Sequence, residues 1–536
     1  MHALSFSHVS FTWPDGRRVF SDLSFSLPPG VSGIVGRNGI GKSTLLRLMT
    51  GDLSPTLGTV TVPPRLRYVP QSVTLAAGST VADALGVAER LRALRTIESG
   101  AGAAEDFDAL ADDWLVEDRS LAVLSSLGLS SLELDRPVEA VSGGEATLLA
   151  IGAALLDEPD VLLLDEPTNN LDSVARDALL AALAGRGGST AVVTHDRTLL
   201  QSVDRIGELR ELEDRTTELR WFGGALDAFE AAAVAEREAA EQAVVTATAH
   251  VARQARDLSA HREGAARKAK AGEKARAQRR VVGLAADAKR NSAERTDARV
   301  RAIHEERLAE AREALAAARA AIPRDRSIRI DLPGTEVPGR REILTATGLV
   351  TRMGTAFDGS IVGAERIRIH GRNGSGKTTL IETLLGLRPS ASGGVAVHVP
   401  VGYLPQRLDV LDDSLSVLDN VRARAPQASA QEIRDQLGRF QFRGALAEAR
   451  AGTLSGGERF RAALASVLLS RPEPQLLVLD EPTNNLDFES QSQLVEALEA
   501  YKGALLVVTH DDAFVEAIAP TRLWEVDGDH VAEQVL

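Results

Sequence analysis

The stretch GRNGIGKST at residues 36–44 follows the apolar run VSGIV and returns almost unchanged as GRNGSGKTT at residues 371–379, after IRIH. Behind each copy stands a second pattern, VLLLDEPTNNLD ending at Asp172 and LLVLDEPTNNLD ending at Asp487. Gly36 and Gly371 are 335 residues apart, as are Gln71 and Gln406; Asp165 and Asp480 are 315 apart, as are His195 and His510. Constant offsets of this kind mark a duplicated domain.

Each loop has the chemistry of a phosphate cradle. Gly36, Gly39 and Gly41 let backbone N–H groups turn onto phosphate oxygens, with Asn38 between them. Lys42 offers a mobile cation to the β and γ phosphates, Ser43 a hydroxyl to a magnesium ion, and Thr44 follows it into a helix. Gly371, Asn373, Gly374, Gly376, Lys377, Thr378 and Thr379 repeat the arrangement. The apolar runs before Asp165 and Asp480 read as buried strands ending in paired acids. Asp165 and Asp480 are placed to organise magnesium through water. Glu166 and Glu481, one residue on, are placed to polarise a water attacking a γ phosphate. His195 and His510 follow the strand runs TAVVT and LLVVT, where they suit γ-phosphate sensing, and Gln71 and Gln406 suit sensing of magnesium or the attacking water.

The tetrapeptide SGGE occurs at residues 142–145 and 455–458. With the loops and the DEPTNNLD segments it resembles the ATP-binding-cassette superfamily. That resemblance implies that Ser455, Gly456 and Gly457 complete the nucleotide site of Lys42, Glu166 and His195. Ser142, Gly143 and Gly144 would complete the site of Lys377, Glu481 and His510. A helix N-terminus suits a γ phosphate, so its loss would loosen the clamp. The signatures differ: Val141 precedes the first and EATLL continues it, whereas the second reads LSGGERFR. Trp13 is placed to stack on adenine in the first site, while residues 345–355, before the second loop, hold no aromatic. The expectation is two competent sites with unequal rates or affinities.

The chain has 536 residues, no cysteine, 44% apolar content and a net charge of −14. Its length fits several domains, and without cysteine disulfides and thiolate metal sites are excluded. The N-terminus reads as a strand rather than a signal peptide, and no run approaches the roughly 20 apolar residues of a membrane span. A soluble cytoplasmic protein is expected, working as a monomer whose two cassettes pair. The charge is segregated: between Arg253 and Arg301 there are 15 Lys or Arg against 6 Asp or Glu, a net of +9, which leaves −23 elsewhere. A basic element on an acidic body suits phosphate backbones without indiscriminate coating.

The expected organisation is a first cassette at 1–228, a basic linker at 229–322, a connector at 323–339 and a second cassette at 340–536. Gln71 to Ser142 is 22 residues longer than Gln406 to Ser455, which places a helical insertion near 92–121. In the linker, Val244, Ala247, Val251, Ala255 and Leu258, and then Leu308, Ala311, Leu315, Ala318 and Ile322, recur at helical spacing. Two such stripes predict an antiparallel hairpin, with a first helix of about 37 residues ending near Glu263, or about 55 Å. Glycines 264, 272 and 283 predict breaks or bends near its far end. Arg267, Lys268, Lys270, Lys274, Arg276, Arg279 and Arg280 there are the candidate RNA contacts.

The expected fold is thus α/β: two P-loop ATP-binding-cassette domains, each with a helical subdomain, joined by an antiparallel helical hairpin. Twin cassettes, a surplus in the first helical subdomain and a basic helical linker resemble the ABC-F family over essentially the whole chain. The resemblance implies an ATPase using ATP and Mg2+. It implies binding to the ribosome near the tRNA exit site, the hairpin directed toward tRNA and rRNA, and a role in tuning translation or protecting against antibiotics. A DNA-associated cassette ATPase is the alternative. A transport subunit ranks lower because the chain lacks spans and fuses its cassettes through a basic hairpin.

Overall fold

The computed structural model describes residues 4–169, 171–212, 216–278, 284–321, 332–484 and 486–536. Two compact units emerge, one of residues 1–226 with 326–536 and one of residues 227–325.

The first unit contains two sheets. In the first cassette the strands are β1 (Ser5–Thr12), β2 (Arg18–Ser26), β3 (Gly30–Gly36), β4 (Leu57–Thr61), β5 (Leu66–Val69), β6 (Val161–Asp165), β7 (Ser189–Val193), β8 (Arg205–Glu211) and β9 (Thr217–Gly223). Their spatial order is β4-β1-β2-β9-β8-β3-β7-β6-β5, and β8, β3, β7, β6 and β5 run parallel. The second cassette repeats this with β10 (Glu342–Val350), β11 (Ala356–Val362), β12 (Arg366–His370), β13 (Ser392–Val397), β14 (Val401–Leu404), β15 (Leu476–Asp480), β16 (Ala504–Val508), β17 (Arg522–Asp527) and β18 (His530–Val535). Its order is β13-β10-β11-β18-β17-β12-β16-β15-β14, the same path through the sheet.

Composition explains the centre of each sheet. All five residues of β6, β7, β15 and β16 are buried, as near-continuous apolar strands must be when both faces are covered. One face of the second sheet packs Ile367, Ile369, Leu476, Val478 and Leu506 against Leu380, Ile381 and Leu384 of the loop-bearing helix. Each fully buried Leu or Ile contributes about 1.5–3 kcal/mol of transfer free energy, so these contacts fix the loop to its strand.

The helical subdomains lie between β5 and β6 and between β14 and β15. The first has helices Val81–Ala84, Ala88–Glu98, Ala104–Leu110 and Val116–Ser126 before its signature helix Gly143–Leu156. In the second, helices Val417–Arg424 and Ala430–Arg439 precede Gly456–Leu468. The surplus of the first copy is therefore helical, and its Phe107 and Trp114 pair edge-on at 6.2 Å.

The second unit is two long helices, Leu226–Gln278 and Leu284–Ala321. The first does not end near Glu263 but continues for 53 residues, about 80 Å, straight through positions 264 and 272. Each glycine costs a helix only about 1 kcal/mol relative to alanine, and the Ala, Arg, Lys and Glu around them are strong helix formers. Leu258, Leu308 and Ala311 are buried between the helices, and Val244, Ala247, Val251, Leu315 and Ala318 are partly so. Ala255 is exposed and Gln254 takes the inward place, so the inward residues 244, 247, 251, 254 and 258 alternate by three and four, the heptad spacing that keeps one seam facing a partner helix. Ile322 lies outside the described residues. Arg262 pairs with Glu305 at 2.8 Å and His261 with Asp297 at 3.4 Å, contacts set well back from the five residues that separate the two helices in sequence, as an antiparallel hairpin requires. Such exposed pairs contribute about 0–1 kcal/mol, so the apolar seam supplies most of the adhesion. Arg267, Lys268, Lys270 and Lys274 are exposed on the first helix. Arg276 lies in that helix without a described side chain, and Arg279 and Arg280 lie outside the described residues.

Candidate functional site

The parallel order of each sheet brings three sequence motifs to one edge. β3 ends at Gly36, β6 ends at Asp165 with Glu166 next, and His195 lies two residues beyond β7. β12, β15 and β16 do the same for Gly371, for Asp480 with Glu481, and for His510. Parallel α/β sheets bind ligands in the crevice outside these carboxyl ends. The loop backbone demands glycine: Gly374 has φ +80°, and a Cβ on Gly371 would stand 2.3 Å from the Val526 carbonyl oxygen. Helices Lys42–Thr50 and Lys377–Leu384 start at left-handed Gly41 and Gly376 with no side-chain cap, so their first-turn N–H groups face the crevice. Gly36 and Gly39 complete the first loop at φ +156° and +82°.

In the first site the Lys42 ammonium donates to the Gly36 carbonyl at 2.6 Å, to Asn38 Oδ1 at 3.2 Å and to His195 Nε2 at 2.6 Å. Burial and the Lys42 charge push His195 well below the usual imidazole range, so its ring is a neutral acceptor. Ser43 donates to Asp165 Oδ2 at 3.4 Å, and Tyr68 donates to the same oxygen at 3.4 Å. Glu166 has φ +49°, a strained backbone for a non-glycine residue, and its Oε2 accepts from the His195 N–H at 3.3 Å. Burial raises the Glu166 carboxyl against the opposing charge of Lys42. Thr44 is half-buried one turn into the helix, and Gln71 is exposed just past β5.

In the second site Lys377 donates to the Gly371 carbonyl at 2.7 Å and the Arg372 carbonyl at 3.0 Å. Thr378 donates to Asp480 Oδ2 at 2.8 Å. Glu481 has φ +47°, and its Oε1 lies 3.5 Å from His510 Nε2. Burial raises Glu481 to about 7 and lowers His510 to about 3. Thr379 donates to the Met353 sulfur at 3.3 Å. A cavity of about 480 Å³ is lined here by Asn373, Gly374, Gly376, Lys377, Thr378, Thr379, Gln406, Asp480, Glu481 and His510.

That cavity is also lined by Ser142, Gly143 and Gly144 of the other cassette. At the first site, a Cβ on Gly456 would stand 3.8 Å from Asn38 Nδ2, beside Ser455 and Gly457. The signature helices begin with capping boxes, Ser142 with Glu145 and Ser455 with Glu458. Asp172 and Asp487 each act twice. Asp487 Oδ1 accepts from the Ser490 N–H of its own helix at 2.9 Å, while Oδ2 accepts from the Asn38 N–H of the opposite loop at 2.8 Å. Asp172 caps Ala175 at 3.0 Å and accepts from the Asn373 N–H at 3.2 Å. Against their burial, these N–H donors hold both carboxyls below the usual range.

Trp13 sits in the β1–β2 turn, half-buried and edge-on to Phe11 at 5.1 Å. Sequence reasoning passed over Tyr68 and Tyr403, which share the 335-residue offset and were findable. It also passed over Met353, whose thioether no aromatic scan detects.

The donor set fits a nucleotide triphosphate with a hard divalent cation. Both ring nitrogens of His510 and the Ser375 hydroxyl are buried without a hydrogen bond among the described residues, as groups awaiting an external polar partner are. Among those residues there is no cluster of three or more His, Cys, Asp or Glu able to hold a metal. Each site offers one hydroxyl and one carboxylate, which suits an ion that keeps waters and takes phosphate oxygens.

The family described as ABC transporter matches residues 20–169 and 356–484. The chain is 36% identical over 531 residues to the tylosin resistance ATP-binding protein TlrC of Streptomyces fradiae, covering 93% of this chain and 92% of that protein. It is 29% identical to ABC transporter F family member 5 of Arabidopsis thaliana, covering 96% and 73%. A solved structure of the archaeal ribosome recycling factor aABCE1, in complex with stalk protein aP1, superposes with a TM-score of 0.60 at 21% identity, covering 98% and 89%. Among the described residues no helix is long and apolar enough to cross a membrane. The chain belongs to the ABC-F family of the ATP-binding-cassette superfamily, and it is an ATPase that converts ATP and water to ADP and phosphate.

Proposed function

We propose that this ATPase works on the ribosome, in the cytoplasm and as a monomer. ATP-dependent pairing of its cassettes near the tRNA exit site would position the basic hairpin toward tRNA and rRNA. The observation that carries this reading is the segregation of charge: a net of +9 between Arg253 and Arg301 against −23 elsewhere. Exposed Arg267, Lys268, Lys270 and Lys274 stand on a narrow helical rod, with Arg276, Arg279 and Arg280 following in sequence. Similarity to a tylosin resistance protein favours antibiotic protection over housekeeping translation.

The chemistry is assigned to the chain's own residues. The loop N–H groups and Lys42 or Lys377 hold the phosphates. Glu166 or Glu481 accepts a proton from the attacking water, its raised pKa matching a base near neutral pH. Neutral His195 or His510 orients at the γ phosphate, and Trp13 stacks on one base. Magnesium, held by Ser43, Asp165 and Gln71 or by Thr378, Asp480 and Gln406, supplies charge neutralisation on phosphate oxygens. Ser455, Gly456 and Gly457 close the first site and Ser142, Gly143 and Gly144 the second, so phosphate loss releases the pair.

The test is cosedimentation of ATP-trapped protein with purified ribosomes, and separately with duplex DNA, across a salt series. Ribosome retention is expected. Changing Arg267, Lys268, Lys270 and Lys274 to glutamine should weaken it most at low salt and flatten the salt slope by up to about four charges. Helicity measured alongside separates lost contacts from lost structure. Unchanged ribosome binding by the folded variant would remove the hairpin's role, and preferential DNA retention would replace the ribosome with DNA.

A further inference from the structure

Three consecutive residues of the second cassette, Asp487, Phe488 and Glu489, each grip the first. Asp487 accepts from the Asn38 N–H at 2.8 Å. Glu489 pairs with Arg37 at 2.8 Å. Between them the Phe488 ring meets the edge of His195, with centroids 5.6 Å apart and planes at 87°, and the Arg197 guanidinium lies 5.8 Å from the ring centre. The matching run of the first cassette is Asp172, Ser173 and Val174. Its aspartate still holds Asn373, but Ser173 carries no ring and Val174 is 60% exposed.

The second histidine has a different neighbour. His510 meets His370 at 5.3 Å and 67°, and His370 ends β12 of the same cassette, where the first cassette has Val35. The sensor histidines therefore have aromatic neighbours of opposite origin. Edge-on aromatic pairs contribute beyond their buried area and restrict ring rotation.

Resting on the catalytic reading of His195, we propose that Phe488 is a positioning residue for that histidine, supplied across the interface. The first site then obtains its sensor geometry only when the cassettes associate, whereas the second carries its own support in His370.

The test uses full-length protein with ring-labelled histidine, followed by NMR. Phe488→Ser, which copies the first cassette's residue, should shift the His195 signal and abolish its displacement on ATP-driven closure while leaving His510 in place. His370→Val should do the reverse. Phe488→Tyr should restore the His195 signal. Single-turnover phosphate release in a Glu481→Gln background, where only the first site is active, should fall about fivefold or more with Phe488→Ser at unchanged ATP affinity. A folding defect would instead disturb His510, because Phe488 belongs to the second cassette. An unmoved His195, or equal changes at both histidines, would overturn the proposal. The catalytic reading of His195 is tested apart by His195→Gln: if that variant stops first-site release while Phe488→Ser does not slow it, only the Phe488 inference fails.

Discussion

The two nucleotide sites share their motifs and sheet order, yet they are held differently. In the first, Lys42 reaches His195 and the serine–aspartate pair stands at 3.4 Å; in the second, Lys377 bonds only loop carbonyls among its described hydrogen bonds and the threonine–aspartate pair closes to 2.8 Å. The second has Met353 against its loop, whereas Trp13 of the first lies in the β1–β2 turn edge-on to Phe11. The first loop is also gripped by Arg37–Glu489, a tie the matching segment of the second lacks among the described ion pairs. Duplication thus repeats the loop, acid and histidine motifs, while the residues packed around them differ between the two copies. Phosphate chemistry tolerates few residue types, whereas an apolar face for a base or a ring can be supplied in several ways.

The largest expected effect comes from the glutamates. Glu166→Gln with Glu481→Gln should lower phosphate release by about 10²–10⁴-fold while ATP binding persists, because the base is lost and the cradle is not. The closed protein should stay on ribosomes and inhibit translation. The single variants should differ from each other; equal single losses would break the contrast between the sites, and near-normal turnover in the double variant would remove the base assignment.

Next in size is a pH effect on stability without nucleotide. The Glu481 pKa is raised from 4.5 to about 7, so its contribution is fully present below pH 4.5 and is lost as pH rises through 7. The lowered His510 acts oppositely and at lower pH, favouring the fold as pH rises from about 3 toward 6.5. Glu481→Gln should therefore raise the unfolding free energy at pH 8, by an amount on the order of 3 kcal/mol, and leave it unchanged at pH 4. Calorimetry that found the same difference at both pH values would separate the glutamine effect from ionisation.

The smallest expected effect sharpens the contrast between base pockets. Trp13→Ala should weaken nucleotide binding at the first site by about 1–2 kcal/mol and spare the second. Site-resolved binding that showed equal losses would mean that Trp13 supports the fold through Phe11 instead of stacking on adenine.

Legibility divides along the same line. The loops, acids, histidines and signatures were readable because phosphate binding fixes residue type and spacing together, and a duplicated chain prints each pattern twice. The hairpin stripes were readable in period but not in extent: the helix passes the glycine at 264 because neighbouring helix formers outweigh one glycine. Ala255 turned outward because the phase of a long helix is set by its partner.

By itself, then, the sequence determined the α/β cassettes, their duplication, the positions of the loop, acid and histidine motifs, and the basic segment, all properties of local pattern. Only the tertiary structure decided that Asp487 holds Asn38 across 449 residues, that Met353 stands beside the second loop, and that His195 leans on the opposite cassette while His510 leans on its own. Those contacts join residues with no fixed spacing. They exist because two folded sheets present complementary surfaces, and that complementarity is a property of packed shapes rather than of any run of residues.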